Sequence, residues 1–217
     1  MKRAITQANN YAPSEMAFSL KTLQEASTLL SVFENSQRLY KQSYREQVKA
    51  SKSLQDLMKK AKLYISHFIQ VFNLAVLRGE IKVDCKSLYG IAPDDFNVPD
   101  MVSDAGVMEW GEKVINGEQE RLATGGSPIY NPAIAKVKVH FDMFKEAYFQ
   151  QKIYQKNTTR TLDNLASLRG SMDAVILEVW NQVEDKFRDG NEHSLEKCRE
   201  YGLVYYYRKG EQMNVFD

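Results

Sequence analysis

The sequence predicts a mainly α-helical fold: four long helices in an up-down bundle, built from two duplicated helix hairpins and finished by a small C-terminal β-hairpin. Three observations carry this reading. Residues 14–78 contain neither glycine nor proline, apolar residues recur at three-four spacing along the chain, and a shift of 108 residues lays one long segment on another.

Residues 1–13 read as a flexible arm, because MKRAITQANNYAPSE has no apolar run. Ser14 directly follows Pro13 and is placed to cap a helix. Leu23, Ala26, Leu30, Phe33, Tyr40 and Tyr44 give one apolar stripe, and Leu54, Leu57, Ala61, Ile65, Phe68 and Phe72 give a second. A single helix over residues 14–78 would be about 98 Å long, beyond the ordinary globular range. A turn is therefore expected in KASKSLQD, with Ser53 capping a new helix and Asp56 three residues on. This makes 14–78 the first hairpin.

Gly79 stops the helix, and 79–130 forms a crossover with Gly90, Pro93 and Pro99 in an acidic loop. Ser103 caps a short helix to about Leu122, weakened by Gly106, Gly111 and Gly117. In the second hairpin, 131–194, Asn131 is the expected N-cap and Pro132 the first helical residue. Ile134, Val137, Phe141, Phe144 and Tyr148 carry the stripe of a helix reaching about Lys156. TTRTLDN turns the chain, Thr161 caps the last long helix to about Phe187, and Arg169-Gly170-Ser171 is a place for a kink. SLQDLMKKAKLYISHFIQVFN (53–73) then lies on TLDNLASLRGSMDAVILEVWN (161–181), and the same shift pairs Phe33 with Phe141 and Tyr40 with Tyr148. The domain scheme is an arm (1–13), a bundle (14–194) and a tail (195–217). In the tail, Leu203–Tyr207, RKGE and Gln212–Phe216 read as strand, turn and strand packed on the bundle. Its alternative role is to receive a partner chain by strand addition, through Tyr205 and Tyr207.

The chain has 217 residues, 43% hydrophobic and 26% charged, enough for one domain with a sizeable core. Its 29 basic and 28 acidic residues leave a net charge of +1, so a preference for an anionic partner must be local. Residues 38–62 hold eight basic residues against Glu46 and Asp56, a local +6. Residues 145–169 hold five against Glu146 and Asp163, a local +3. Residues 80–120 hold three basic against ten acidic, a local −7. At the tips of two hairpins the basic segments gather at one pole, with Arg38, Lys41, Arg45, Lys49, Lys52, Lys152, Lys156 and Arg160 as the candidate binding surface. Such a surface suits phosphate backbones of nucleic acid, anionic lipid headgroups or an acidic protein surface, and Tyr40, Tyr44, Tyr148 and Tyr154 add stacking faces for single-stranded bases; the plain alternative is a solvated helix surface. Asn73 and Asn181, related by the repeat, are a candidate polar pair fixing register, or two exposed side chains.

No catalytic, cofactor or metal motif emerges. His67, His140 and His193 lack ExxH or HExxH spacing, GEQERLATGGSP lacks the P-loop lysine and the GxGxxG fingerprint, and the aspartates at 94, 95 and 100 lack EF-hand spacing. Cys85 and Cys198 stand alone, which suits packed thiols and a cytoplasmic protein, and no segment is apolar enough to span a membrane. The leading expectation is a non-enzymatic interaction or scaffold protein with a protein partner or a second copy. The alternatives are a nucleic-acid-binding module and an enzyme with a dispersed site.

YISHFIQVFN (64–73), VWNQVEDKF (179–187) and REYGLVYYYRKGE (199–211) resemble, in order and spacing, a family of helical proteins from gut bacteria of the Bacteroides group. The resemblance covers most of the chain beyond residue 14. That family has no established activity, so the resemblance implies an all-helical bacterial protein and assigns no functional residue.

Overall fold

The computed structural model describes residues 1–189 and 192–206. They are mainly helical: α1 (Lys2–Ala8), α2 (Leu20–Leu77), a 3-10 helix (Val83–Tyr89), α3 (Asp104–Ala123), α4 (Ile134–Ser167), α5 (Arg169–Lys186) and α6 (Glu192–Glu200). Among the described residues the β structure is one isolated bridge, Tyr130 to Ala133. The chain divides into two compact units. The first comprises Met1–Lys41 and Arg160–Asp217, the second Gln42–Thr159.

No turn interrupts α2. The KASKSLQD segment is helical throughout, with Leu54 buried while Lys52, Ser53, Gln55 and Asp56 remain exposed. A serine followed by an aspartate suits an outer helical face as well as a cap, and burial of Leu54 favours the helix. Hairpin one is therefore a single helix, and the scheme of two duplicated hairpins in a four-helix bundle gives way. The turn expected at TTRTLDN is also absent. Thr158 and Thr159 donate their hydroxyls to the carbonyls of Tyr154 and Gln155, at 3.0 and 3.1 Å, and so sit inside α4. The helix breaks instead at Leu168, next to the expected kink at Arg169-Gly170-Ser171. Residues 53–73 are thus one unbroken stretch of α2, whereas 161–181 spans that break, so the two copies of the sequence repeat do not fold alike.

The first unit uses residues expected to be a loose arm. Ala4 and Ala8 of α1 are buried with Met16, Ala17, Phe18, Ala26, Val179, Val183, Cys198, Tyr201 and Leu203. Helix α2 starts at Leu20 rather than Ser14 because Ser19 provides the cap, its hydroxyl accepting from the Thr22 N–H at 3.1 Å. Gln182 of α5 joins this cap, accepting from the Ser19 N–H at 2.8 Å and donating to the Thr22 hydroxyl at 3.0 Å. After α6, Gly202 adopts φ +91°. Its N–H reaches the Arg199 carbonyl and that of Leu203 the Cys198 carbonyl, a Schellman turn that drives Leu203 into the core. The first strand of the expected C-terminal hairpin is therefore spent as a helix exit, and Leu203 to Tyr206 carry no strand. The rest of that hairpin lies outside the described residues.

In the second unit, Leu54, Ala61, Ile65, Phe68, Phe72 and Val76 of α2 pack with Tyr89, Val107, Val114, Val137, Phe141 and Phe144. The expected short helix is α3, and Ser103 caps it by accepting from the Gly106 N–H at 3.1 Å. Its glycines, unfavourable for a free helix, allow close packing. A Cβ on Gly111 would stand 2.2 Å from the Phe141 ring, and one on Gly117 would stand 2.7 Å from the Leu88 carbonyl oxygen. Helix α4 begins at Ile134, three residues past Asn131, with Ala133 supplying the first helical carbonyl. Asn131 is therefore not its cap.

Polar groups hold the crossover in place. Glu118 and Arg121 of α3 form a buried two-pronged pair, both bonds 2.8 Å, and Tyr89 donates its hydroxyl to Glu118. Arg121 also donates to the Tyr89 oxygen at 3.1 Å and to the Ser127 carbonyl at 2.7 Å. Fully buried Lys86 donates to the carbonyls of Pro93 and Asp95, at 3.1 and 2.7 Å, and lies 3.4 Å from the centre of the Phe96 ring. Burial pushes its ammonium below the ordinary value, against the pull of Asp95 and Asp94. Burial, reinforced by the bond to Glu118, pushes the Tyr89 phenol far above its usual 10.0.

Gly111→Ala and Gly117→Ala are expected to cost about 1–3 kcal/mol in urea unfolding through overpacking. Gly170→Ala, whose Cβ meets nothing within 4 Å, should be neutral or stabilising by up to about 1 kcal/mol. The raised Tyr89 value makes a second prediction. The folded protein keeps this proton where the unfolded chain has lost it, so the contribution is complete below about pH 10 and disappears as pH rises further. Stability measured from pH 9 to 11.5 should fall less steeply in Tyr89→Phe, by about 1.4 kcal/mol per pH unit above about pH 10. Equal slopes in the two proteins would contradict it.

Candidate functional site

Helices α2 and α4 run antiparallel within the second unit. Tyr64 stacks on His140 with ring centres 4.1 Å apart, while Leu63 and His67 share a small cleft with Asn131, Pro132 and Lys136 at the start of α4. Advancing along one helix is thus retreating along the other. Lys52 is twelve residues before Tyr64 and Lys152 twelve residues after His140, so each lies about 18 Å from the stack at the same level of the pair. Lys49 and Arg45 extend this zone on α2, and Lys156 extends it on α4. All five side chains are exposed. Among the described residues none has a carboxylate within 4.0 Å, whereas Lys145 and Lys113 of the same unit pair with Glu112 and Glu109.

These residues were expected at hairpin tips and instead occupy the middle of uninterrupted helices. Arg38, Lys41 and Arg160 belong to the first unit, each exposed, with Arg38 donating to Asn35 at 2.8 Å. Beside the second-unit cations, Tyr44 and Phe149 are each 52% exposed, and Lys152 lies 5.2 Å from the centre of the Tyr148 ring.

The first unit offers a different surface. From residue 27 to residue 41 no α2 side chain is buried, although Leu29, Leu30, Val32 and Phe33 lie there. A cleft of about 410 Å³ is lined by Phe33, Leu162, Leu165, Ala166, Met172 and Ile176, with Arg169 and Asp173 at its margin. A second, about 440 Å³, lies along Leu29, Val32 and Val175. The sequence stripe that contains Phe33 marks an apolar face but not what lies on it, because periodicity identifies the face and not its cover.

Asn73 and Asn181 do not make a matched buried pair. Asn73 is buried and donates to the Phe96 carbonyl at 3.1 Å, tying α2 to the crossover, and its Oδ1 has no partner among the described residues; Asn181 is exposed. Tyr205 is half-buried against the first-unit core and donates to Glu184 at 2.9 Å. Burial pushes its phenol up, with Cys198 and Glu184 adding to the shift. Tyr207 lies outside the described residues.

Among the described residues no three His, Cys, Asp or Glu side chains gather as metal ligands, and no helix is long and apolar enough to cross a membrane. Comparison with protein-family models, curated proteins and solved structures gives no match. The two asparagines should separate cleanly by mutation. Asn73→Ala is expected to cost about 1–2 kcal/mol in denaturant unfolding and Asn181→Ala less than about 0.5.

Proposed function

We propose that this chain is a non-enzymatic interaction protein, a helical scaffold whose working surface is the apolar cleft of the first unit and whose first partner is a second copy. One observation carries the reading: Phe33, Leu162, Leu165, Met172 and Ile176 line a cleft along helices, and among the described residues no third layer lies over it. Exposed apolar surface of this kind is stabilised by burial at roughly 25 cal/mol per Å². In a twofold pair the same patch serves both copies, so one surface supplies both halves of the contact. The long helices give a frame on which an apolar helix of the partner can lie by its i, i+3, i+4 face.

Sedimentation of the purified protein across a concentration series tests this. Reversible dimer formation with a Kd below about 100 µM is expected, weakened at least tenfold by Leu165→Asp with the helical signal unchanged. A protein that stays monomeric through that range, or a Leu165→Asp variant that associates as well as the parent, would remove this reading.

A further inference from the structure

A second interaction surface, of different chemistry, lies in the second unit. From the level, charge and aromatic content of that surface we infer that the α2–α4 pair binds single-stranded nucleic acid at the zone of Arg45, Lys49, Lys52, Lys152 and Lys156.

Some cations of the unit are committed: Lys86 is buried in the crossover, while Lys113 and Lys145 pair with carboxylates. Lys60, Lys136 and Lys138 are exposed with no carboxylate within 4.0 Å among the described residues, so what distinguishes the zone is its local excess of charge. Residues 44–53 and 149–157 hold five basic residues against Glu46 alone, a net of +4. The acidic crossover meets the pair to one side of the zone. On α2 it is anchored at Phe72, against Tyr89, and at Asn73, on Phe96, about 30 Å along the helix from Lys52, and on α4 its Glu112 pairs with Lys145, seven residues or about 10 Å before Lys152. Arg45, Lys49 and Lys52 follow one another by four and three residues, a rise of about 6 and then 4.5 Å along one exposed side. A row of evenly placed cations suits a chain of repeated negative charges, and each neutralised phosphate releases condensed counterions.

The aromatics decide between forms of that polyanion. Tyr44 and Phe149 each leave about half their surface in solvent within this zone. A ring in that position adds little to a phosphate contact but gives an unstacked base a face to lie on. Duplex DNA hides its base faces, and its major groove, about 12 Å wide, admits one helix rather than two packed side by side. A single strand offers both phosphates and faces. The inference does not depend on the apolar cleft of the first unit, so either can fail without the other.

Fluorescence anisotropy of a labelled oligo(dT) strand of about 20 nucleotides, titrated with the full chain at several salt concentrations, is the test. Binding is expected at low salt, with log K falling against log salt by a slope of about −2 to −3.5 for three to five phosphate contacts. The triple variant Arg45→Gln, Lys49→Gln, Lys152→Gln should bind at least tenfold more weakly with a shallower slope. Tyr44→Ala with Phe149→Ala should weaken binding about tenfold or more while leaving the slope in place. Lys82→Gln, exposed and outside the zone, should bind like the parent. Circular-dichroism melting checks that each variant is folded. Absence of binding at low salt overturns the inference, as does a triple variant that binds like the parent. So does loss of selectivity: equal binding to duplex of the same length, to vesicles of equal phosphatidylcholine and phosphatidylserine, or to polyglutamate would show a general anion surface.

Discussion

Helix α2 constrains everything else in this protein. Fifty-eight residues run from Leu20 to Leu77 without glycine or proline, a rise of about 87 Å. Helix propensity alone leaves such an element exposed on all sides, so its stability depends on what packs on its apolar stripe. The chain supplies two coverings. Around Ala26 the cover comes from α1, α5, α6 and the residues after it; from Leu54 to Val76 it comes from the 3-10 helix, α3 and α4. The stretch from residue 27 to residue 53 has no buried side chain. There α2 presents apolar residues in one unit and, among the described residues, cations without a carboxylate partner in the other, and both candidate surfaces follow from that gap in cover.

The second covering depends on polar groups removed from water. Arg121 and Glu118 are almost wholly buried and satisfy each other with two bonds, while Tyr89 and the Ser127 carbonyl take up remaining capacity. Such a pair adds little stability beyond what apolar side chains of the same volume would give, but removing either partner strands a charge and costs several kcal/mol. Its contribution here is to fix position. Tyr89 comes from the 3-10 helix and packs its ring at a tilt against Phe72 of α2, so the network joins α2, the crossover and α3 at one point.

Helix content and much of the core were legible because apolar periodicity is a strong signal. Leu54, Ala61, Ile65, Phe68, Phe72, Val137, Phe141 and Phe144 are buried as their spacing implies, and Ser103 caps α3. What failed was punctuation. Serine, lysine and aspartate near residue 53 read equally well as a cap or as a wet helical face, and only the burial of Leu54 decides. The alanines of α1 were missed because a small side chain gives no hydrophobic stripe, and the glycines of α3 because their use lies in the neighbour they admit. Lys86, Glu118 and Arg121 looked like ordinary members of a charged crossover, since burial of a charge depends on partners distant in the chain. The basic residues were visible, but their shared level along α2 and α4 comes from antiparallel register, which composition does not encode.

The two units differ in how the chain contributes to them. One is a continuous segment, residues 42–159, whereas the other unites Ala4 and Ala8 with Cys198, Tyr201 and Leu203. During synthesis the continuous unit has all its parts once residue 159 clears the ribosome, while the other must wait until nearly the whole chain has emerged. Until then the amino-terminal part of α2 has no α5 or α6 to lie against, and its apolar stripe is open to chaperones or to another nascent chain. Translation order therefore leaves this protein most vulnerable at its beginning and closes that vulnerability last.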